Sequence, residues 1–431
     1  MTKEIKQRIE QIKNGEVPQG YKKTKIGIVP NEWEEKYLRE LLEFKNGFNA
    51  EKEKFGKGTK LISVLDILAD RPIMYDSIKN YADVSEEEIK NYSVTYGDVL
   101  FQRSSENFED AGMSNVYLDS EKIAIFSGFV IRGKKISEYN PIFLNNLLKI
   151  ERMRKIIRKC GAGAQHINIG QKSLSNIIVV LPPLKEQQKI SEILSTQDKV
   201  IELKEKLLNE KEKQKKYLMQ NLLTGKKRLK GFNGEWNNVK LGDITSLRGG
   251  FAFKSNCFTD EGIPIVKISN ILQNESVGGS FDFYEEQEND LEYLLPNNAI
   301  LLAMSGATTG KVAILKNLEG KKIYQNQRVG YFRDLNKVNY MFISFIIRSK
   351  LFINKIKEIL VAGAQPNISS SDVDKFVFNI PKDIKEQKAI AEILTTADKE
   401  LKLLQEELEE EKRKKKALMQ LLLTGIVRVK V

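Results

Sequence analysis

Apolar residues recur at every seventh position in two stretches of the chain. Leu194, Ile201, Leu208, Lys215 and Leu222 form one row, and Leu394, Leu401, Leu408, Lys415 and Leu422 form the other. A neighbouring row lies four residues earlier, with Ile190 and Leu218 in the first stretch and Ile390, Ala397, Leu404 and Leu418 in the second. Two such rows make a narrow seam of the coiled-coil type. Gly225 and Gly425 stand where a glycine ends a helix. Each helix, of about forty residues, would be a rod of roughly 60 Å. Neither buries its seam alone, so the pattern predicts two long antiparallel helices packed on each other, with a globular unit at each end. The charged stretches 211–216 and 410–416 read as solvated outer faces, with contact to DNA phosphates or to a partner subunit as the alternative. The part of the seam left exposed reads as a docking surface for partner helices.

The helical stretches are copies of one another, and the copying extends further. Residues 184–194, LKEQQKISEIL, recur as IKEQKAIAEIL at 384–394, and LMQNLLTG at 218–225 recurs as LMQLLLTG at 418–425. Upstream, Ala162-Gly163-Ala164-Gln165 recurs as Ala362-Gly363-Ala364-Gln365, and Glu32-Trp33 through Gly47-Phe48 recurs as Glu235-Trp236 through Gly250-Phe251. The repeated object is domain-sized, with a period of about 200 residues. Between the landmarks the copies diverge, so a scaffold is kept and an interior is varied.

Each unit alternates short β-rich runs with polar loops. In the first, residues 60–65, 98–102, 116–118 and 129–132 read as strands; in the second, 263–268, 299–303, 311–315 and 329–332. Each unit then closes with a helix, 141–159 and 338–360, and a final strand before a proline. The expected fold is α+β: two tandem domains with twisted sheets, separated by the two helices in a pseudo-two-fold repeat. The expected boundaries are an N-terminal helical arm at 1–21, a first domain at 22–181, a central helical spacer at 182–230, a second domain at 231–381 and a distal spacer at 382–431. The arm should pack near the distal helix.

Composition adds a partner. Lys and Arg number 70 against 58 Asp and Glu, a formal charge of +12. A basic excess suits a nucleic-acid ligand, because each neutralised phosphate releases counterions. No run of some eighteen apolar residues and no signal-like N-terminus is present, which predicts a soluble, cytoplasmic protein without membrane association. The two cysteines, Cys160 and Cys257, have no local partners, so neither a disulfide framework nor a four-cysteine zinc site is expected.

Loops after the central strands carry the side chains that discriminate base edges. In the first unit these are Arg103, Ser104, Ser105 and Asn107; in the second, Lys267, Thr308, Thr309, Lys311, Asn326, Gln327 and Arg328. Catalytic signatures fail one by one. His166 is the single histidine, too little for histidine-metal or triad chemistry. Gly306 to Lys311 begins a phosphate loop, but Val312 occupies its hydroxyl position. Leu181-Pro182-Pro183-Leu184 lacks the polar first and aromatic fourth residues of an amino-methyltransferase motif. The chain reads as non-catalytic, with no metal or catalytic residue of its own. A coiled-coil assembly scaffold without DNA sequence specificity is the alternative, and salt-sensitive duplex binding separates the two.

The Lys-Glu-Gln opening of each helix, the Leu-Leu-Thr-Gly ending, the linker Arg228-Leu229-Lys230-Gly231-Phe232 through Trp236, and Gly27-Ile28-Val29-Pro30-Asn31-Glu32-Trp33 resemble the specificity subunit of type I restriction-modification systems. The resemblance spans essentially the whole chain. It implies two target recognition domains, each reading one half of a bipartite, asymmetric sequence in double-stranded DNA. It implies helices that fix the gap between the halves and dock two modification (methyltransferase) subunits, with restriction (nuclease and translocase) subunits joining them. S-adenosylmethionine, ATP and Mg would belong to those partners, with no cofactor bound by this chain. Half-sites roughly one helical turn apart would follow.

Overall fold

A computed structural model describes residues 3–49, 54–163, 166–316, 320–362 and 367–430. Parts of the repeated Ala-Gly-Ala-Gln motif, residues 164–165 and 363–365, lie outside the described residues. The long helices run Leu184–Leu222 and Ile384–Leu422, 39 residues each. Two compact units emerge, and their limits cut both helices near the middle: Met1–Lys204 with Glu407–Val431, and Glu205–Glu406.

In the first unit a four-stranded antiparallel sheet has the order Leu42–Asn46, Val130–Lys135, Val99–Gln102, Ser114–Val116. Beside it, Phe55–Ile62 pairs in parallel with Ile125–Phe126 and antiparallel with Tyr81–Ala82. The strand Glu34–Tyr37 pairs with Ile178–Leu181, which leads into the first long helix. Val99, Phe101 and Ile131 from the sheet, Phe143, Leu147 and Ile157 from the helices, Ile190, Leu194 and Leu422 from the long helices, and Leu423 just after the second of these share one core. Sheet, domain helices and helix seam are therefore stabilised by the same apolar burial. Leu100, Phe126 and Val130, facing the other way, form a second cluster beneath the mixed sheet.

The second unit repeats that order. Its antiparallel sheet runs Thr245–Gly249, Val329–Asp334, Ile300–Ala303, Val312–Ile314. Its mixed sheet places Ile263–Val266 between Asp282–Tyr284, antiparallel, and Tyr324–Gln325, parallel. Trp236–Lys240 pairs with Val377–Pro381. The core again joins sheet and helices, here with Leu222, Leu223, Ile390 and Leu394. The topology is kept where the sequence between landmarks is not.

Several elements differ from the sequence pattern. The run 60–65 is strand only to Ile62; Val64–Ile67 turns helical, because Asp66 accepts from the Ser63 backbone and hydroxyl at 2.8 and 2.7 Å. Likewise 263–268 stops at Val266, and Asn270 accepts from the Lys267 N–H at 2.9 Å to start a short helical turn. Each closing helix is two helices: Pro141–Lys149 and Glu151–Arg158, then Tyr340–Arg348 and Lys350–Ala362. One extended residue makes each break, Ile150 at φ −67 and ψ 148 and Ser349 at φ −82 and ψ 162. Burying Ile150, and Ser349 Oγ accepting from Leu351 N at 3.2 Å, hold the two corners.

Within each unit the long helices run antiparallel. In the first, Lys415 pairs with Asp198 at 2.5 Å, Gln197 donates to Glu411 at 2.6 Å and Lys204 meets Glu407 at 2.6 Å. In the second, Lys215 meets Asp398 at 2.5 Å and Lys211 meets Glu400 at 2.6 Å. Ile190, Leu194, Leu222, Ile390, Leu394, Leu408 and Leu422 are buried, whereas Ile201, Leu208 and Leu401 are half-buried. The charged stretches are thus only partly outer faces: Lys211, Lys215 and Lys415 turn inward to ion pairs across the helix pair.

The repeated Lys-Glu-Gln motif has a structural task. Gln187 donates to Pro182 O at 2.8 Å and accepts from Asn140 N at 2.9 Å; Gln387 does the same with Pro381 O and Asn339 N, both at 2.8 Å. Asn140 and Asn339 cap the first domain helices, so each glutamine ties a domain to the start of its long helix. Glu186 and Glu386 are each 1% exposed. Arg428 meets Glu186 through Nε and Nη2 at 2.6 and 2.8 Å, and Arg228 meets Glu386 likewise at 2.7 and 2.8 Å. Trp33 Nε1 also donates to Glu186 at 3.3 Å. The tail after each Leu-Leu-Thr-Gly is thereby fastened. The arm Lys3–Lys13 joins this node, with Arg8 donating to Ile426 O at 3.0 Å and Tyr21 to Gly425 O at 2.8 Å.

Candidate nucleic-acid interface

The proposed reading residues of the second unit come from three loops that leave the same edge of its sheets. Lys267 follows the strand ending at Val266; Thr308, Thr309 and Lys311 follow Ile300–Ala303; Asn326, Gln327 and Arg328 precede Val329–Asp334. Backbone bonds tie the loops together. Asn326 N donates to Val266 O at 3.1 Å, and Met304 N to Arg328 O at 3.0 Å. Thr308 Oγ1 donates to Ile268 O at 3.3 Å. Gln327 and Arg328 are exposed, and Lys311 is half-buried with no ion-pair partner among the described residues. Lys267 instead forms an ion pair with Asp282, and the Thr309 hydroxyl donates to Gly306 O at 2.5 Å.

In the first unit the group is more self-contained. Arg103 N donates to Phe129 O at 2.8 Å, and its guanidinium reaches Gly128 O at 3.3 Å. Ser104 bonds Asn168 through its hydroxyl. Ser105 is 7% exposed; its Oγ donates to Asn107 O at 2.8 Å and accepts from Asn107 N at 3.1 Å. Asn107 is exposed, with its amide donating to Asp110 at 3.2 Å. Ser105 therefore shapes the loop, while Arg103, Ser104 and Asn107 stand at its surface.

Glycines set the height of these loops. Phe48 N donates to Phe126 O and Phe251 N to Gln325 O, each at 3.0 Å. A Cβ on Gly47 would lie 1.9 Å from Ser127 O, and one on Gly250 2.2 Å from Gln325 O. The Gly-Phe landmark of each repeat thus lets a neighbouring strand press against the loops 127–129 and 326–328. Residues 127–129 hold no hydrogen-bonding side chain except that of Ser127, and polar composition alone passes over them. Phe129, 65% exposed, stands there, and Leu65, 77% exposed, occupies the turn after the adjacent strand. Topological equivalence with the second unit is the signal that finds them.

A charged node joins each domain to its helices. Arg348, 6% exposed in its side chain, bonds Glu275 at 2.5 Å and Asp398 at 2.9 Å. In the first unit Lys149 occupies the equivalent helix end, facing Lys415, Asp70 and Asp198; burial, with Lys415 adding to it, lowers its pKa to about 8. Among the described residues no three His, Cys, Asp or Glu side chains are placed to hold a metal ion. No helix of the described residues is long and apolar enough to cross a membrane.

Comparison with known proteins follows the same division. The profile of the type I restriction modification DNA specificity domain matches residues 30–213 and again 233–412. The MjaVIII type I restriction enzyme specificity subunit of Methanocaldococcus jannaschii is 27% identical over 338 residues, 75% of this chain and 78% of the relative. A chain of that organism bearing the name of the MjaX specificity subunit is 27% identical over 448 residues, covering 96% and 97%. Among solved structures, the S subunit of a type I restriction-modification system from M. genitalium superposes with a TM-score of 0.56 at 15% identity, over 93% of this chain and 97% of that one. A chain from a study of complex assembly and conformational transition of the type I system superposes at 0.59 and 14% identity, over 93% and 99%.

Proposed function

The chain belongs to the type I restriction-modification DNA specificity family, and from that membership we propose that it reads a split, asymmetric sequence in double-stranded DNA, one half through each recognition domain. The observation that carries the proposal is the retention of one strand order in both units while the loops at one sheet edge differ. In the second unit that edge presents Lys311, Asn326, Gln327 and Arg328; in the first, Arg103, Ser104 and Asn107. Arginine forks and amides suit guanine and adenine edges, and the hydroxyls supply single bonds. Two dissimilar edges suit two dissimilar half-sites about one helical turn apart.

The chain supplies no chemistry in this reading. Two methyltransferase subunits dock along its helix pairs and bring S-adenosylmethionine; restriction subunits bring ATP and Mg. The complex acts in the cytoplasm. The domain limits at 22–181 and 231–381, with helical spacers at 182–230 and 382–431, are those of the proposed reading modules. The test is co-expression with the neighbouring methyltransferase gene and methylome sequencing. A split motif whose first half changes when residues 103–107 are exchanged supports the proposal. A stable complex that yields no split motif overturns it in favour of an assembly scaffold.

A further inference from the structure

The first unit places a large apolar ring where the second places a guanidinium. Arg103 N donates to Phe129 O at 2.8 Å, as Met304 N donates to Arg328 O at 3.0 Å, so Phe129 and Arg328 occupy equivalent positions before equivalent strands. The Phe129 loop is held from several sides. Ser127 N donates to Ile62 O at 3.0 Å, Arg103 donates to Gly128 O at 3.3 Å, and a Cβ on Gly128 would lie 1.6 Å from Asn49 Oδ1. Its backbone is fixed, yet its ring is 65% exposed and takes no part in any core cluster of the described residues. Single exposed apolar residues are ordinary on protein surfaces. One held on a braced loop, beside an arginine and in the place of a reading guanidinium, is not explained by the fold.

We propose that Phe129 is a specificity residue of the first recognition domain, reading thymine through its C5-methyl group in the major groove. The inference rests on the base-reading function proposed above. A phenyl ring neither donates nor accepts a hydrogen bond, so it reads only an apolar feature, and in the major groove the thymine methyl is the apolar feature offered. Arg103, whose guanidinium touches the same loop, flanks it with a charge for phosphate or guanine. The two units thus read by different chemistries at the same topological point.

The test uses the full chain co-purified with its methyltransferase subunits. Its probes are duplexes bearing the methylome motif, with thymine or uracil at the thymine positions of the first half-site. Uracil pairs as thymine does but lacks the methyl. Wild type should bind the thymine duplex about four-fold more tightly, the scale set by burying one methyl group. Phe129→Ala should lose that preference and bind both duplexes as wild type binds uracil. An unchanged unfolding midpoint, expected for so exposed a ring, separates this loss from misfolding. The proposal is overturned if Phe129→Ala keeps the thymine preference, if it weakens both duplexes equally, or if the first half-site contains no thymine. Failure of wild type to discriminate any sequence would instead overturn the base-reading function itself, and this inference with it.

Discussion

Replacing Arg428 with alanine removes both hydrogen bonds that its guanidinium makes to Glu186 and its pairing with Glu32. Glu186 is 1% exposed and, among the described residues, its carboxylate would keep only the Trp33 indole N–H, at 3.3 Å. Breaking a buried pair from one side costs about 3–5 kcal/mol, because a charge is left without compensation. Arg428 itself is 32% exposed and Glu32 68%, so water relieves part of the loss. The lower end, about 3 kcal/mol, is the expectation. Trp33 lies at the node, and Trp236 is the only other tryptophan. Trp236 Nε1 is buried without a hydrogen-bond partner among the described residues, so a Trp236→Phe background sacrifices no hydrogen bond seen there and leaves Trp33 as the reporter. Urea unfolding followed by Trp33 fluorescence should show the midpoint falling by about 1 M, for a slope near 3 kcal/mol per molar. Adding Glu186→Gln should recover at least half of that loss, since a neutral amide is cheaper to bury than an unpaired carboxylate. A shift no larger than that of the exposed control Lys185→Ala, or no recovery with Glu186→Gln, would refute the reasoning.

Three further outcomes are expected. Gly425→Ala should cost more than Gly225→Ala in urea unfolding: both sit at positive φ, +72 and +70, but the new Cβ meets Pro30 Cδ at 2.4 Å in one and Trp236 at 3.4 Å in the other. The conformational part alone is about 1–2 kcal/mol. Lys149, with its pKa lowered to about 8, binds its proton less well folded than unfolded, so its penalty is complete below pH 8 and disappears as pH rises towards 10.5. Lys149→Met should therefore stabilise the protein at pH 7 and flatten the rise in stability across that window, as read by denaturant titrations at several pH values. Arg328→Ala should reduce sequence preference in the second half-site, whereas Lys311→Ala should weaken all duplexes alike and lower the log–log salt slope by about 0.9 if it neutralises one phosphate. Binding titrations across salt concentrations distinguish the two.

The helices were legible because seven-residue periodicity is local: Leu194, Leu222, Leu394 and Leu422 are buried, as their rows require. What those rows did not reveal is the partner of Lys215 and Lys415, since Asp398 and Asp198 are neighbours only once the helices pair. The breaks at Ile150 and Ser349 left no mark on the apolar pattern, which continues across one extended residue. The early end of the strand at Ile62 was readable in principle, because Ser63 and Asp66 have capping-box spacing. Among the candidate reading residues, Arg328 and Gln327 are exposed, as polar residues of a loop are expected to be, and polar type and loop position are silent on their use. The burial of Ser105 and the pairing of Lys267 with Asp282 depend on tertiary geometry. Phe129 carries no such polar signature, because a phenyl ring offers neither donor nor acceptor.

The glycines at 47 and 250 carry a consequence for how such a chain changes over generations. They let backbone brace backbone beneath loops 127–129 and 326–328, so loop shape owes little to the side chains at the tips. Selection then acts on the tips as on an alphabet mounted on a fixed carriage: a guanidinium in one copy and a phenyl in the other, with no renegotiation of the core. On the proposed reading, drift at those positions would alter which DNA is addressed and leave the folding landscape nearly untouched, so that new specificities would arise by single steps from a stable ancestor.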